Sequence, residues 1–320
     1  MKNRSCIVYN VVAPAERVRR PLCSIIILML VISFTSCEKN FNVKVQANQP
    51  MLVVEAYINN EMPAYNYVIL SRSLDYLSLD FQSTPVTDAS VTITEGERAG
   101  NVYRWDSATQ IQLRPLNLPG VPAELTSIYF DPRLVVDSTH ALLGKPGKSY
   151  LLQISEGDNH YSAITTLLQP VQIDSLTAGY GYNDTEDSNK YKLRVTVNYQ
   201  DPDTLGNTQL YFYRFADNRN SFGWGAFHGN RSVNVGTDEL TNGQYIKLTN
   251  PRGFVVGDTV EYHMASVTRD VYNFWDSFNN ARNNGGPFAT PVVLTTNITG
   301  PNVTGCFSGL SLSSKIIVIK

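Results

Sequence analysis

The sequence predicts a mainly β protein: an immunoglobulin-like β-sandwich over 49–170, then a β-rich C-terminal domain over 171–320 with one amphipathic helix near 269–282. Three observations carry this reading. Apolar and polar residues alternate with period two in segment after segment, the pattern of half-buried strands. Turns rich in Gly, Pro and Asn separate these segments. Tyrosine, at 18 residues, is abundant beside Ser, Thr and Asn, whereas apolar stripes of helical period are rare.

The strands are expected first at 51–58 and 65–71, joined through Asn59-Asn60. Over 86–94, Val91 and Ile93 face one way and Ser90, Thr92 and Thr94 the other. Strands at 102–105 and 110–114 precede a Pro-rich stretch, 115–132, that reads as a long loop. Gly144-Lys145-Pro146-Gly147 turns the chain into 149–154, and 161–168 closes the first domain. A boundary is expected at 170–176. Beyond it, Tyr191, Leu193, Val195 and Val197 oppose Lys192, Arg194, Thr196 and Asn198 along one strand. Further strands are expected at 209–215, 233–235, 245–248 and 259–267.

The helix is read from Val271, Phe274, Trp275, Phe278 and Ala281, which share one face. Thr268 is the expected N-cap, and Asp270 suits the positive end of the helix dipole. Asn283-Asn284-Gly285-Gly286-Pro287 stops it. Its apolar face is expected to cover the β-domain, recruitment of a partner being the alternative.

Residues 1–36 read as a targeting segment. Lys2, Arg4, Arg17, Arg19 and Arg20 precede an apolar run, 25–34, that is short for a span of about 20 apolar residues. The run ends in Phe34-Thr35-Ser36-Cys37, which resembles a lipobox, with Phe34 standing where an aliphatic residue is usual. This implies a diacylglycerol on Cys37 and a polar tether over 37–48. An ordinary secretory peptide cut nearby, or an uncleaved anchor, is the alternative. Without the leader, the 26 basic and 28 acidic residues become 21 and 27. A mildly acidic body with no basic stripe argues against nucleic-acid binding. Cys306 is left without a partner, so no disulfide is expected; beside Phe307 it reads as a small buried residue.

In order, Leu52-Val53-Val54-Glu55-Ala56, Ala89-Ser90-Val91-Thr92-Ile93, Gly147-Lys148-Ser149-Tyr150-Leu151-Leu152, Pro170 with Ile173-Asp174-Ser175-Leu176, Asp270-Val271-Tyr272-Asn273-Phe274-Trp275 and Phe288-Ala289-Thr290-Pro291 resemble a family of Bacteroidota outer-membrane lipoproteins, domain of unknown function 4249. The resemblance implies an outer-membrane location and a TonB-dependent receptor as neighbour, and it carries over no functional residue. The C-terminus departs from the family, with Gly305-Cys306-Phe307 and 315–320 in place of a Gly- and aromatic-rich strand.

The search for chemistry finds little. His140, His160, His228 and His263 show no metal-ligand spacing, and there is no G-x-S-x-G elbow or phosphate loop. His263 reads as a sheet residue. Asp201-Pro202-Asp203-Thr204-Leu205-Gly206 begins like a calcium loop but lacks the closing acid, and reads as a solvated turn beside Asp184, Glu186 and Asp187. No cofactor and no metal are expected. Phe222, Trp224, Phe227 and His228 lie in a Gly-rich stretch and are the ligand-binding candidates; tucking of these rings into the core is the alternative. Ser107, Ser138, Ser175, Thr204 and Thr259 each follow Asp in a triplet that resembles the O-glycosylation site of this phylum. Turn formation by Asp-Ser and Asp-Thr is the competing account. The expected function is a non-catalytic accessory or binding lipoprotein that partners membrane lipid through Cys37 and an outer-membrane receptor. A glycan-binding lipoprotein is the alternative, and a hydrolase with dispersed carboxylates the third reading.

Overall fold

The computed structural model describes residues 50–74, 84–117, 125–183, 191–216, 234–284 and 292–320. The expected leader and tether lie outside them. The chain is mainly β. Its strands are β1 (Leu52–Asn59), β2 (Tyr67–Arg72), β3 (Ser90–Ala99), β4 (Val102–Trp105), β5 (Ile111–Pro115), β6 (Ile128–Phe130), β7 (Ser149–Glu156) and β8 (Asn159–Thr166). They continue with β9 (Ile173–Asn183), β10 (Tyr191–Gln200), β11 (Thr208–Phe215), β12 (Asn234–Thr237), β13 (Tyr245–Val255), β14 (Thr259–Ser266), β15 (Ile298–Thr299) and β16 (Val303–Val318). The helices are α1 (Arg133–Val136) and α2 (Arg269–Asn283). The stretch 115–132, expected as a loop, contains β6.

Hydrogen bonding follows one path, β12-β11-β14-β16-β1-β2-β6-β5-β3-β7-β8-β15, with β4 beside β3; β13-β10-β9 form a separate sheet. Asn48–Lys320 is one compact unit. The break near Pro170 is the step from β8 in the large sheet to β9 in the small one. It is not a division between two units, because β16 joins strands from both halves of the chain. Its first half pairs in parallel with β1, from Leu52 opposite Val303 to Asn59 opposite Leu310. Its second half pairs antiparallel with β14, from Ser266 opposite Ser311 to Thr259 opposite Val318.

Three apolar clusters fill the layers. The first packs Leu52, Val54, Ala56 and Ile58 of β1 and Leu70 of β2 against Ile93, Leu152, Ile154 and Ala163 of the β3-β7-β8 segment. The path folds over at β5, which pairs with β3 through Ile111–Leu113 and with β6 through Arg114 and Pro115. The second lies on the opposite face, where Tyr57, Tyr67, Cys306, Leu310 and Leu312 meet Val271 of α2. The third packs Val195, Val197 and Tyr199 of the small sheet on Tyr211, Tyr213, Tyr262 and Met264. Leu210 and Phe212 face the second cluster while Tyr211 and Tyr213 face the third, so β11 is buried on both faces and reads as a continuous apolar run. Burying one such side chain contributes about 1.5–3 kcal/mol.

Side chains complete the hydrogen bonding of β16 where no strand flanks it. Asn60 accepts from Leu312 N at 2.6 Å and donates to Leu312 O at 3.2 Å. Asn297 accepts from Phe307 N at 2.9 Å and donates to Phe307 O at 3.0 Å. Thr165 Oγ1 accepts from Gly309 N, and Ser313 Oγ accepts from Ile173 N, each at 3.0 Å. Gly305 has φ +120°, and a Cβ there would stand 1.9 Å from Val54 O. A residue with a side chain is therefore excluded where β1 and β16 approach.

Asn297→Leu would strip both partners from the fully buried Phe307. The expected cost is about 1–3 kcal/mol per buried group left unpaired. Urea-unfolding midpoints should fall accordingly, with Asn297→Asp, which keeps the acceptor, intermediate.

Candidate functional site

The register of β14 on β16 sets His263 opposite Ser314. His263 is 1% exposed. Its Nδ1 bonds the Ser314 hydroxyl, which also donates to Glu61 Oε2. On its other side, His263 Nε2 lies 3.1 Å from Glu261 Oε1. Glu261 in turn accepts from Arg214 Nε, its cross-strand partner, and Arg214 Nη1 donates to Tyr65 Oη at 2.9 Å. His263 and then Arg214 hold the Glu261 carboxyl down at about 2. Serine, histidine and glutamate are the residue types of acyl transfer. Here the serine hydroxyl is tied on both sides, by His263 and by Glu61. The cluster therefore acts as a polar rivet joining β11, β14, β16 and the turn after β1.

A second constellation joins two turns. The buried Asp238 carboxylate accepts from Gly206 N at 3.0 and 2.9 Å and from Asn207 N at 2.9 Å. Asp201 Oδ2 accepts from Gly243 N at 3.1 Å, and Asn242 Nδ2 donates to Asp203 O at 3.3 Å. Burial raises the Asp201 pKa, with Asp238 and Asp203 adding to the rise. The latched turns present Leu205 at 72% exposure and Leu240 at 92%. Preorganised backbone carrying two bare leucines is a surface suited to contact.

The third feature is the sheet face beside α2. Val271 is the buried anchor of the helix, and Trp275 Nε1 donates to Ser308 Oγ of β16 at 3.2 Å. Phe274, Trp275 and Phe278 form a half-buried aromatic cluster, with centroids 5.6 to 6.1 Å apart. On the same sheet face Tyr57 meets Tyr67 edge-on at 5.4 Å, and Tyr57 Oη donates to Glu55 Oε1 at 2.7 Å. Glu55 is exposed; desolvation by its neighbours raises its pKa, the Tyr57 bond opposing this. Burial pushes the Cys306 thiol up to about 12, so it is a packed residue and not a nucleophile.

The sequence-derived candidates fall as follows. Cys37, Phe222, Trp224, Phe227, His228, Asp184, Glu186 and Asp187 lie outside the described residues. Ser107 and Ser138 are exposed on single helical turns capped by Asp106 and Asp137, whose carboxylates accept from Ala108 N and Thr139 N, each at 3.0 Å. Thr204 is exposed between Asp203 and Leu205. Ser175 and Thr259 are half-buried in strands, Ser175 accepting from Asn198 Nδ2 at 3.2 Å. Among the described residues no group of three or more His, Cys, Asp or Glu side chains is placed to hold a metal ion, and no helix is long and apolar enough to cross a membrane. The rivet, the latch and the Glu55 face each depend on strand register, and Leu205 within its Asp-rich turn is the only local signal for any of them.

A family model described as a domain of unknown function, DUF4249, matches residues 38–316. No curated protein matches the chain.

Because Glu261 is held below its ordinary value of 4.5, the stability it contributes is present above that pH and lost as pH falls through about 2. In pH-dependent unfolding, Glu261→Gln should be less stable than the native chain at neutral pH. The gap should close between about 4.5 and about 2.

Proposed function

Since the chain belongs to the DUF4249 family, whose description assigns no activity, we propose from its own features that it is a non-catalytic accessory lipoprotein of the outer membrane. A lipid on Cys37 anchors it, the tether over 37–48 leads into β1, and the body binds a TonB-dependent receptor or another envelope protein. Two or more acyl chains anchor stably, at about 0.8 kcal/mol per buried methylene. The observation that carries the binding role is the latched pair of turns. Asp201 and Asp238 fix the backbone, so Leu205 and Leu240 are held in the open at little further entropic cost on binding.

A glycan-binding role is the second reading, and the β9-β10 hairpin favours it. Between the pairs Tyr182–Lys192 and Gly179–Arg194, two residues of β9 oppose one of β10. At this bulge Tyr180 takes φ 49°, a conformation that disfavours a side chain, and is 82% exposed. Tyr191 lies against Gly181, where a Cβ would stand 2.1 Å from its ring. Exposed rings held on a strained hairpin are suited to stacking on sugars.

Intact-mass analysis of membrane-extracted protein should show a chain beginning at Cys37 with added acyl mass, absent from Cys37→Ala. Leu205→Glu with Leu240→Glu should abolish copurification of the receptor and leave the melting temperature unchanged. Retention of the receptor by that double variant would remove the turns from the interface. If the glycan reading holds instead, Tyr180→Ala should weaken oligosaccharide binding in a fluorescence titration.

A further inference from the structure

The small sheet sets one side, with Val195, Val197 and Tyr199, into the third cluster and leaves the other side open. Its strands hold four basic residues, Lys192, Arg194, Lys247 and Arg252, against one acidic residue, Asp174, at a bulge near the start of β9. The rest of the chain carries more acids than bases. Arg194 projects from the central strand on the open side. Of the half-buried arginines among the described residues, Arg72 and Arg214 pair with Glu156 and Glu261. Arg194 has no ion pair and no hydrogen bond, and its Nε is closed off from water. Buried donors are ordinarily satisfied, so one that the chain leaves open needs a physical account.

Its neighbours supply one. Both cross-strand partners of Arg194 are glycines, Gly179 on β9 and Gly253 on β13. The room above Gly253 is taken by Tyr182, whose Oη accepts from Gly253 N at 3.0 Å and whose ring centre lies 5.1 Å from the guanidinium carbon. Stacking of this kind holds the guanidinium in place. The room above Gly179 is open, since a Cβ there would meet nothing within 4 Å. Gly179 does not take a positive φ, so the backbone does not call for glycine. A strand glycine without that cause suits the close approach of a ligand.

We propose that Arg194 binds the carboxylate of an acidic saccharide that enters over Gly179. The inference rests on the glycan reading above and names its ligand class. The guanidinium fork matches a planar carboxylate through two parallel bonds. The adjacent row of the same face is Thr177, Thr196 and Thr249, whose hydroxyls suit those of a sugar, and Thr177 and Thr249 are exposed. Tyr180, the exposed ring of the glycan reading, directly follows Gly179 in the chain. A neutral sugar would leave Arg194 unmatched, and a small free anion would use neither the hydroxyls nor the ring.

The test is calorimetric titration of the full chain in nonionic detergent with trigalacturonate and trimannuronate, each beside its methyl-esterified form. Esterification removes the charge and keeps the ring and its hydroxyls. At least one acid should bind about tenfold more tightly than its ester, as expected of one charge-assisted hydrogen bond. Arg194→Gln should bind acid and ester alike, with the affinity for the ester unchanged. Gly179→Leu keeps Arg194 and its contact with Tyr182 but fills the gap. It should lose the preference too, while melting no lower than the native chain. Tyr180→Ala, by contrast, should weaken acid and ester equally. Equal binding of acid and ester by the native chain, or a preference that survives in Arg194→Gln or Gly179→Leu, would overturn the proposal and leave the glycan reading standing. Binding of neither form would remove both.

Discussion

The parallel pairing of β1 with β16 is the contact on which the other layers depend. Among the described residues, β16 is the only link between the β1-β2-β6-β5-β3-β7-β8 segment and the β14-β11-β12 segment of the large sheet. Phe307 belongs to the first apolar cluster, and Cys306, Leu310 and Leu312 belong to the second. Without this strand the sheet would separate into two with open edges, and α2 would lose the surface it covers. The small sheet depends on it indirectly, because it packs on β11 and β14. The side chains of Asn60, Asn297 and Thr165 have the same cause: a strand shared by two partners must have its backbone satisfied wherever either partner stops.

Around that frame several polar groups are paired within the chain. Glutamates meet basic residues, a buried histidine is held between a serine and a carboxylate, and buried aspartates take the amides of tight turns. The turns held by Asp201 and Asp238 keep Leu205 and Leu240 in the open, apolar surface of the kind that suits contact.

Much of the fold was legible in the sequence, and the misses have physical reasons. β10 and β14 alternate cleanly because each has faces of different character, and α2 shows its stripe because one side meets the second cluster. β16 is the longest strand and was not legible. Its segment 303–314 is rich in Gly, Ser and Thr, residues whose small size and hydroxyl groups suit close approach and side-chain bonding, so no apolar alternation marks it. Pro170 looked like a domain boundary because the chain does change sheets there, but sequence does not reveal that a strand about 130 residues later returns to bridge the break. His263 and Ser314 are likewise 51 residues apart and meet only through register.

The β1-β16 pair also constrains how the molecule is made. Its two strands enclose a loop of about 250 residues, and closing so long a loop costs roughly 5 kcal/mol of chain entropy before any contact rewards it. Every residue of that loop is synthesised before β16, so the central pairing is the last to become available. Contacts of such long sequence separation fold slowly. Until closure, β1 and β14 present unpaired edges to whatever strand is nearby. The architecture therefore calls for a chain kept apart from its neighbours, and from premature collapse, until its final strand is in reach.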